Sequence, residues 1–455
     1  MANSVTDGVK IVLDSFPDYY DTAPRDVLVQ QIQKSLEVAK AKWGYERKGG
    51  RGMSEWKKVS LSEMGIVSRG KSKHRPRNDT RLYGGRYPFI QTGDIGAAGL
   101  YVTDYSQTYN EEGLAQSKLW EKNTLCITIA ANIADTALLA FPACFPDSIM
   151  GFVPHKDVAN VKYVKYCFDI LKKDCQQISQ GTAQDNLSWK KLSTIKFPCP
   201  PLEVQNRIAT ILSRYDSLIE NYQKQIKLLE EAAQRLYKEW FVDLRFPGHE
   251  NTNIIDGVPE GWEKKTIADV CTNIYSGSTP SRSNKAYWEN GTIKWVKTKE
   301  LQDGWILDTE EYISQEGYNS SSTKMFPANT ILMAIYASPT LGRLGILSID
   351  CCCNQAALGL IADENIISWQ WLFWKLYELR DEFNAIARGA GQQNISGIVV
   401  KNKEIIIPDK GVIDGFTSVV SKMFEQQKSL SSQLRLLTEA RDRLLPKLMS
   451  GEIEI

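Results

Sequence analysis

Between Arg69 and Arg81 the chain carries six basic side chains, Arg69, Lys71, Lys73, Arg75, Arg77 and Arg81, with Asp79 as the only acid among them. Gly70 and Pro76 mark the stretch as a loop. Cations packed this closely repel one another unless a polyanion neutralises them, so the chemistry on offer is phosphate binding. A solvated surface loop is the competing reading. The matching segment later in the chain, Ser276-Gly-Ser278-Thr279-Pro-Ser-Arg282, is less basic but rich in hydroxyls, which also contact phosphate. Two further segments resemble each other: Gln180-Gly-Thr182-Ala-Gln184-Asp-Asn186 and Arg388-Gly-Ala-Gly-Gln392-Gln393-Asn394. Gln and Asn can bond adenine through two hydrogen bonds, and Arg does the same to guanine. Asn186 and Asn394 equally suit the cap of a following helix. Thr92, Asp94, Thr298 and Lys299 end a predicted strand, and Tyr336, Ser338 and Arg343 follow another. Both groups are candidates for base or phosphate contact, with local structural roles as the alternative.

Residues that make or break bonds are missing from the pattern. No Asn/Asp-Pro-Pro-aromatic tetrad is present to hold a flipped base. No G-x-G-x-x-G turn follows a strand, and there is no phosphate-loop lysine motif. Gly389-Ala-Gly391 lacks its third glycine and follows a predicted helix. His74, His155 and His249 are too scattered for a metal site or a triad. The nine cysteines form no C-x-x-C pair, and the run Cys351-Cys352-Cys353 cannot bring three thiolates to one zinc ion. Buried, reduced thiols in a cytoplasmic protein are the expectation. The net charge of +1 does not mark a nucleic-acid binder, so any such surface has to be local. Met1 to Lys10 lacks a secretion signal, and no apolar run is long enough for a membrane span. A non-enzymatic binding protein is expected.

The elements that would position these residues occur twice. Trp262-Glu-Lys-Lys-Thr-Ile267 follows Trp56-Lys-Lys-Val-Ser-Leu61 by 206 residues. The same offset relates Phe89-Ile90-Gln91-Thr92 to Trp295-Val296-Lys297-Thr298, and Leu119-Trp120 with Asn123-Thr124 to Met325-Phe326 with Asn329-Thr330. Later it is 208, pairing Gly151 with Gly359 and Asn186 with Asn394. A period this long means two copies of a whole domain with its connector, not a solenoid. The connector is a heptad seam: Ile208, Leu212, Tyr215, Ile219, Tyr222, Ile226, Leu229, Ala233, Leu236 and Trp240 step by four and three. Its copy runs Phe416, Val420, Met423, Gln427, Leu430, Leu434, Leu437, Arg441, Leu444 and Leu448, with Gln427 and Arg441 as polar intrusions. Those two fit register control or a partner contact, and equally two tolerated polar positions. Each helix is about 48 Å long at about 1.5 Å per residue. The predicted packing sets Leu212, Ile219, Ile226 and Leu229 against Leu430, Leu434 and Leu437 in antiparallel fashion. The first helix is expected to stop before Pro247-Gly248, and Pro446 to kink or end the second.

Within each copy, Leu125–Ile129 and Thr330–Ile335 read as buried strands. Val158–Ile178 and Trp369–Ile386 read as helices, and Lys196-Phe197 and Glu404–Ile407 as closing strands. The class is α+β. Residues 1–52 precede the repeat; an amphipathic helix is expected within Pro24–Trp43 and a basic linker at Lys48–Gly52.

The repeat opening at Trp56, the segment Gln180–Leu187, the run Pro198-Cys-Pro-Pro-Leu-Glu-Val-Gln-Asn-Arg-Ile-Ala209 leading into the first long helix, and the ending Arg443-Leu-Leu-Pro-Lys-Leu-Met-Ser-Gly-Glu-Ile453 together resemble the specificity subunits of type I restriction-modification systems. The resemblance spans roughly 53–455. Copy two departs from it at Pro408-Asp-Lys-Gly-Val-Ile-Asp-Gly415, so a different helix start is expected there. The resemblance implies two mixed α/β target-recognition domains, 53–198 and 256–408. It joins them to a central helix at 199–246 and a C-terminal helix at 409–455, which pair as an antiparallel coiled coil. Each domain would read one half of a split, asymmetric double-stranded DNA site. The implied partners are two methyltransferase subunits and the translocating restriction subunits. S-adenosylmethionine, magnesium and ATP would belong to those partners and none to this chain. A specificity module detached from another restriction-methylation system, and a two-domain scaffold that binds no DNA, are the competing readings.

Overall fold

The computed structural model describes residues 56–179, 187–336, 340–389, 394–453 and 455. The expected helix and linker before residue 53 lie outside these, as do Gln180, Thr182, Gln184, Asn186, Ser338, Gln392 and Gln393. The chain divides into two compact units, one running up to Asn221 and including Leu436–Ile455, the other Tyr222–Arg435.

The first unit is built on a five-stranded sheet of β1 (Gly65–Arg69), β2 (Tyr101–Val102), β3 (Leu125–Thr128), β4 (Thr136–Leu139) and β5 (Ile149–Pro154), in the order β1-β5-β3-β4-β2. All neighbours are antiparallel except β4 and β2. The second unit repeats the plan with β6 (Cys271–Ser276), β7 (Gly304–Ile306), β8 (Ile331–Ala334), β9 (Leu344–Leu347) and β10 (Ala357–Ala362), in the order β6-β10-β8-β9-β7. Again only the last pair, β9 and β7, is parallel. The central strands β3 and β8 are buried on both faces, which is why they read as continuous apolar runs rather than alternating ones. Each is launched by the same turn. Asn123 (φ 65°) and Asn329 (φ 66°) take the left-handed backbone that asparagine tolerates. The following Thr124 and Thr330 hydroxyls donate to Glu121 O and Pro327 O at 2.7 Å.

Each copy is closed by pairing its first strand with its last: Lys58–Val59 with Phe197–Pro198, and Glu263–Thr266 with Glu404–Ile407. α1 (Val161–Ser179) packs on the first sheet through Tyr163, Val164, Cys167 and Phe168. In the second unit the predicted single helix is two, α3 (Trp369–Glu378) and α4 (Arg380–Gly389), separated at Leu379.

The first long helix, α2, spans Leu202–Tyr237 and continues as a wider π turn, Lys238–Val242, stopping before Pro247 as expected. Gln205 fixes its start: this buried side chain donates to Pro200 O and Val158 O and accepts from the Asn160 amide. The second, α5 (Lys410–Ser450), starts differently, with the Asp409 carboxylate accepting from the Gly411 amide. Pro446 does not end α5. The helix runs a further turn to Ser450, so the missing proline N–H is tolerated inside it.

Within the first unit the beginning of α2 lies beside the end of α5. Ile208, Ala209 and Leu212 share one core with Leu448 and Met449, whereas the seam set Leu212 against the group Leu430, Leu434 and Leu437. Arg441 Nη1 donates to Asp216 Oδ1 at 2.9 Å, and the Tyr166 hydroxyl of α1 donates to Asp216 Oδ2. Within the second unit the end of α2 meets the beginning of α5, where Tyr237, Trp240 and Phe241 surround Phe416. The middle of the seam is less buried than predicted, since Ile226, Leu229, Leu434 and Leu437 are all partly exposed.

Among the described residues no helix is long and apolar enough to cross a membrane, and no group of side chains is arranged to hold a metal ion. The nine cysteines are free thiols, and burial pushes Cys351 and Cys352 up to about 12.

Candidate nucleic-acid interface

The basic loop leaves β1 at Arg69 and is pinned at several points. Lys71 N donates to Phe145 O, Ser117 Oγ donates to Lys71 O at 2.8 Å, and Gln116 Oε1 accepts from the Lys73 and His74 amides. The sequence offered Asp79 as the only opposing acid. The fold supplies another, Asp147, which pairs with Arg77 at 2.6 Å and lies 3.9 Å from Arg75. Arg75 also donates to the Ser72 and His74 carbonyls, so it braces the loop. Asp79 is held by Arg81 and His74, and these bonds keep its carboxyl well below the usual carboxylate range. Among the described residues Arg69, Lys71 and Lys73 are exposed with no acidic partner. They form the open cationic part of the loop.

In the second unit the corresponding hydroxyls are largely engaged. Ser276 ends β6 and is exposed, Ser278 Oγ bonds Ser322 Oγ at 2.8 Å, and Thr279 Oγ1 donates to Gln355 Oε1. The Arg282 guanidinium lies 3.5 Å from the centroid of Trp288 and pairs with Glu311 at 2.6 Å. An arginine held against a ring and paired in this way is a poorer free phosphate ligand than the sequence suggested.

Thr92 and Thr298 do not end strands; each opens a short helical turn, Thr92–Ala97 and Thr298–Glu300. Asp94 accepts from the Gln91 amide at 2.7 Å, and its counterpart Glu300 accepts from the Lys297 amide at 2.6 Å. Asp94 is therefore a local cap. Lys299 is exposed but pairs with Glu310 at 2.6 Å.

Asn394 does not cap the next helix. Ser396 does so, with Oγ accepting from Val399 N, as Ser188 caps the equivalent turn of copy one. Asn394 instead forms a backbone bridge with Tyr336, and both are exposed. Just after it, Ile395 N donates to Ile335 O; in copy one Leu187 N donates to Ile129 O. Leu187 and Ile395 thus lie beside the end of the central strand of their copies; in copy two Tyr336 follows that strand, and the half-buried Arg343 accepts from the Ala334 amide through its carbonyl. Arg388 is exposed at the end of α4, with Nε donating to Asn384 O.

Sequence reasoning missed a pair of ring platforms. Trp120 stacks on Phe145 with centroids 4.8 Å apart, and Tyr275 stacks on Phe326 at 4.6 Å. The matched Gly151 and Gly359 explain their own identity. A Cβ there would fall 2.5 Å from the Trp120 ring and 2.0 Å from the Phe326 ring. Lys118 and Lys324, again 206 residues apart, lie over these rings. The repeat carried the signal, one residue before the Leu119-Trp120 and Met325-Phe326 match.

The family model described as the type I restriction modification DNA specificity domain matches residues 53–231 and again 259–430. The chain belongs to this family. Its double match has the period of the internal repeat. It is 26% identical over 437 residues to the type I restriction enzyme MjaIX specificity subunit of Methanocaldococcus jannaschii, covering 92% of this chain and 99% of that one. It is 25% identical over 473 residues to the HindI specificity subunit of Haemophilus influenzae, covering 88% and 100%. The fold is similar to the crystal structure of a type I system S subunit from M. genitalium, with TM-score 0.61 and 16% identity over 88% of this chain and 97% of that one. Specificity subunits choose the DNA target of a restriction-modification enzyme and are not themselves catalytic.

Proposed function

We propose that this chain recognises a bipartite, asymmetric DNA site, one half through each copy, and carries the catalytic subunits of a type I restriction-modification enzyme. One observation carries the reading: the same sheet plan occurs twice while the loops at corresponding positions differ in charge and residue type. A common scaffold with diverged loops is what two readers of different half-sites need, because base contacts come from local loops. The target-recognition domains are residues 53–198 and 256–408. The helices at 199–246 and 409–455 pair as an antiparallel coiled coil that sets the spacer. Arg69, Lys71, Lys73, Tyr336, Arg388 and Asn394 are the described residues best placed to touch DNA.

Two methyltransferase subunits, using S-adenosylmethionine, would dock on the helices, and the restriction subunits with their ATP and magnesium would join that complex. Apolar side chains left open on the helices, Leu228 at 63% and Val419 at 44% exposure, suit such docking.

The test exchanges residues 53–195 for the matching domain of a relative and maps adenine methylation across the genome of a host that also carries the methyltransferase subunit. One half of the methylated sequence should change and the other persist. Simultaneous change of both halves would refute independent readers.

A further inference from the structure

Lys118 and Lys324 stand at the same position of the repeat, and each lies against an aromatic ring. The Lys118 ammonium is 3.5 Å from the Trp120 ring centroid, and that of Lys324 is 4.6 Å from Tyr275. The rings reach this arrangement by different routes. Trp120 is backed by Phe145, whereas Tyr275, on β6, is backed by Phe326. Two copies that keep the lysine while rebuilding the ring beneath it are preserving the placement of a charge.

The charge is not used up inside the protein. Both lysines are exposed, and among the described residues neither has an acidic partner. A ring face attracts an ammonium without neutralising it. Burial, and after it the nearby Lys71, disfavour the charged form of Lys118. The segments that carry the two lysines also fasten the loops beside them. Ser117 Oγ holds Lys71 O, and Ser322 Oγ holds Ser278 Oγ. Lys118 is thus fixed next to the open cationic loop of copy one, and Lys324 next to the matching hydroxyl loop of copy two, whose own side chains are largely engaged.

We propose that Lys118 and Lys324 bind the phosphodiester backbone of duplex DNA, one in each half-site, as ammonium groups pre-positioned on aromatic platforms. The inference rests on the DNA-binding reading above. A lysine confined to a ring loses less rotamer freedom when a phosphate arrives, so it positions the duplex without reading bases. The bland alternative is a lysine stem that merely shields a ring from water.

The test is a binding titration of the full chain with a long duplex of arbitrary sequence, across a range of salt. Lys118→Gln and Lys324→Gln should each lower the salt slope by about 0.9, and the double variant by about twice that. Lys118→Arg and Lys324→Arg, which keep the charge, should retain the parent slope and so separate the effect of charge from that of misfolding. Lys122→Gln, at an exposed lysine outside the platforms, should leave the slope unchanged. Unchanged slopes in both platform Gln variants, or an equal drop in the Lys122 variant, would overturn this inference while leaving DNA binding intact. A parent chain with no salt-dependent duplex binding would overturn the DNA reading, and this one with it.

Discussion

Asp147 sorts the cations of the basic loop. By pairing with Arg77 and standing near Arg75 it turns two of the six basic residues into braces; with Arg81 held by Asp79, Arg69, Lys71 and Lys73 remain open. Replacing those three by alanine should therefore lower the salt slope of DNA binding by roughly 0.9 for each phosphate no longer neutralised. Replacing Arg75 and Arg77 should lower it less and loosen the loop instead; equal slopes for the two sets would refute the distinction. The sequence displayed the six cations but could not show Asp147, which lies 70 residues beyond Arg77. The same distance effect hid the fate of Arg282, whose partner Glu311 reaches it only through the fold. Gly151 and Gly359 were visible as a matched pair, yet their reason is steric. Gly151→Ala should cost about 1–3 kcal/mol by overpacking Trp120, measured as a lower midpoint in thermal or denaturant unfolding. A stability equal to the parent's would show that the ring moves aside freely.

At the scale of elements, heptad arithmetic gave the existence of the long helices. It misplaced their partners, because a seam pattern reports which side chains are apolar and not which surface covers them. Leu212 joins the recognition domain's own core with Leu448 and Met449. The polar intrusion Arg441 has an answer in Asp216, itself held by Tyr166, so three elements meet at one buried carboxylate. Asp216→Ala would strand the guanidinium and the phenol and should destabilise by about 3 kcal/mol, read as a fall in the unfolding midpoint. The double variant Asp216→Ala with Arg441→Met should recover part of that loss. No recovery would mean that the pair is not coupled. Gln427 has no such answer; its Nε2 is buried without a hydrogen-bond partner among the described residues.

For the whole molecule, the repeat was fully legible, since its period depends only on sequence identity at matched positions. The loops that would touch bases were the least legible, because their roles depend on which partners the fold brings to them. If the paired helices set the spacer, removing one heptad from each should change the number of unspecified bases between half-sites. The half-sites themselves should stay the same in a methylation map; altered half-sites would show that the helices also shape the readers. The contact of the start of α2 with the end of α5 also bears on the order of events during synthesis. Asp216 waits for Arg441, 225 residues downstream. Ile208 and Leu212 likewise wait for Leu448 and Met449. At about 5–20 residues per second, roughly 10–45 s pass between the emergence of Asp216 and that of Arg441 from the ribosome. Throughout this interval the first recognition domain is nearly complete but wears an open apolar strip. Transiently exposed apolar surface of this kind invites aggregation until the end of α5 covers it.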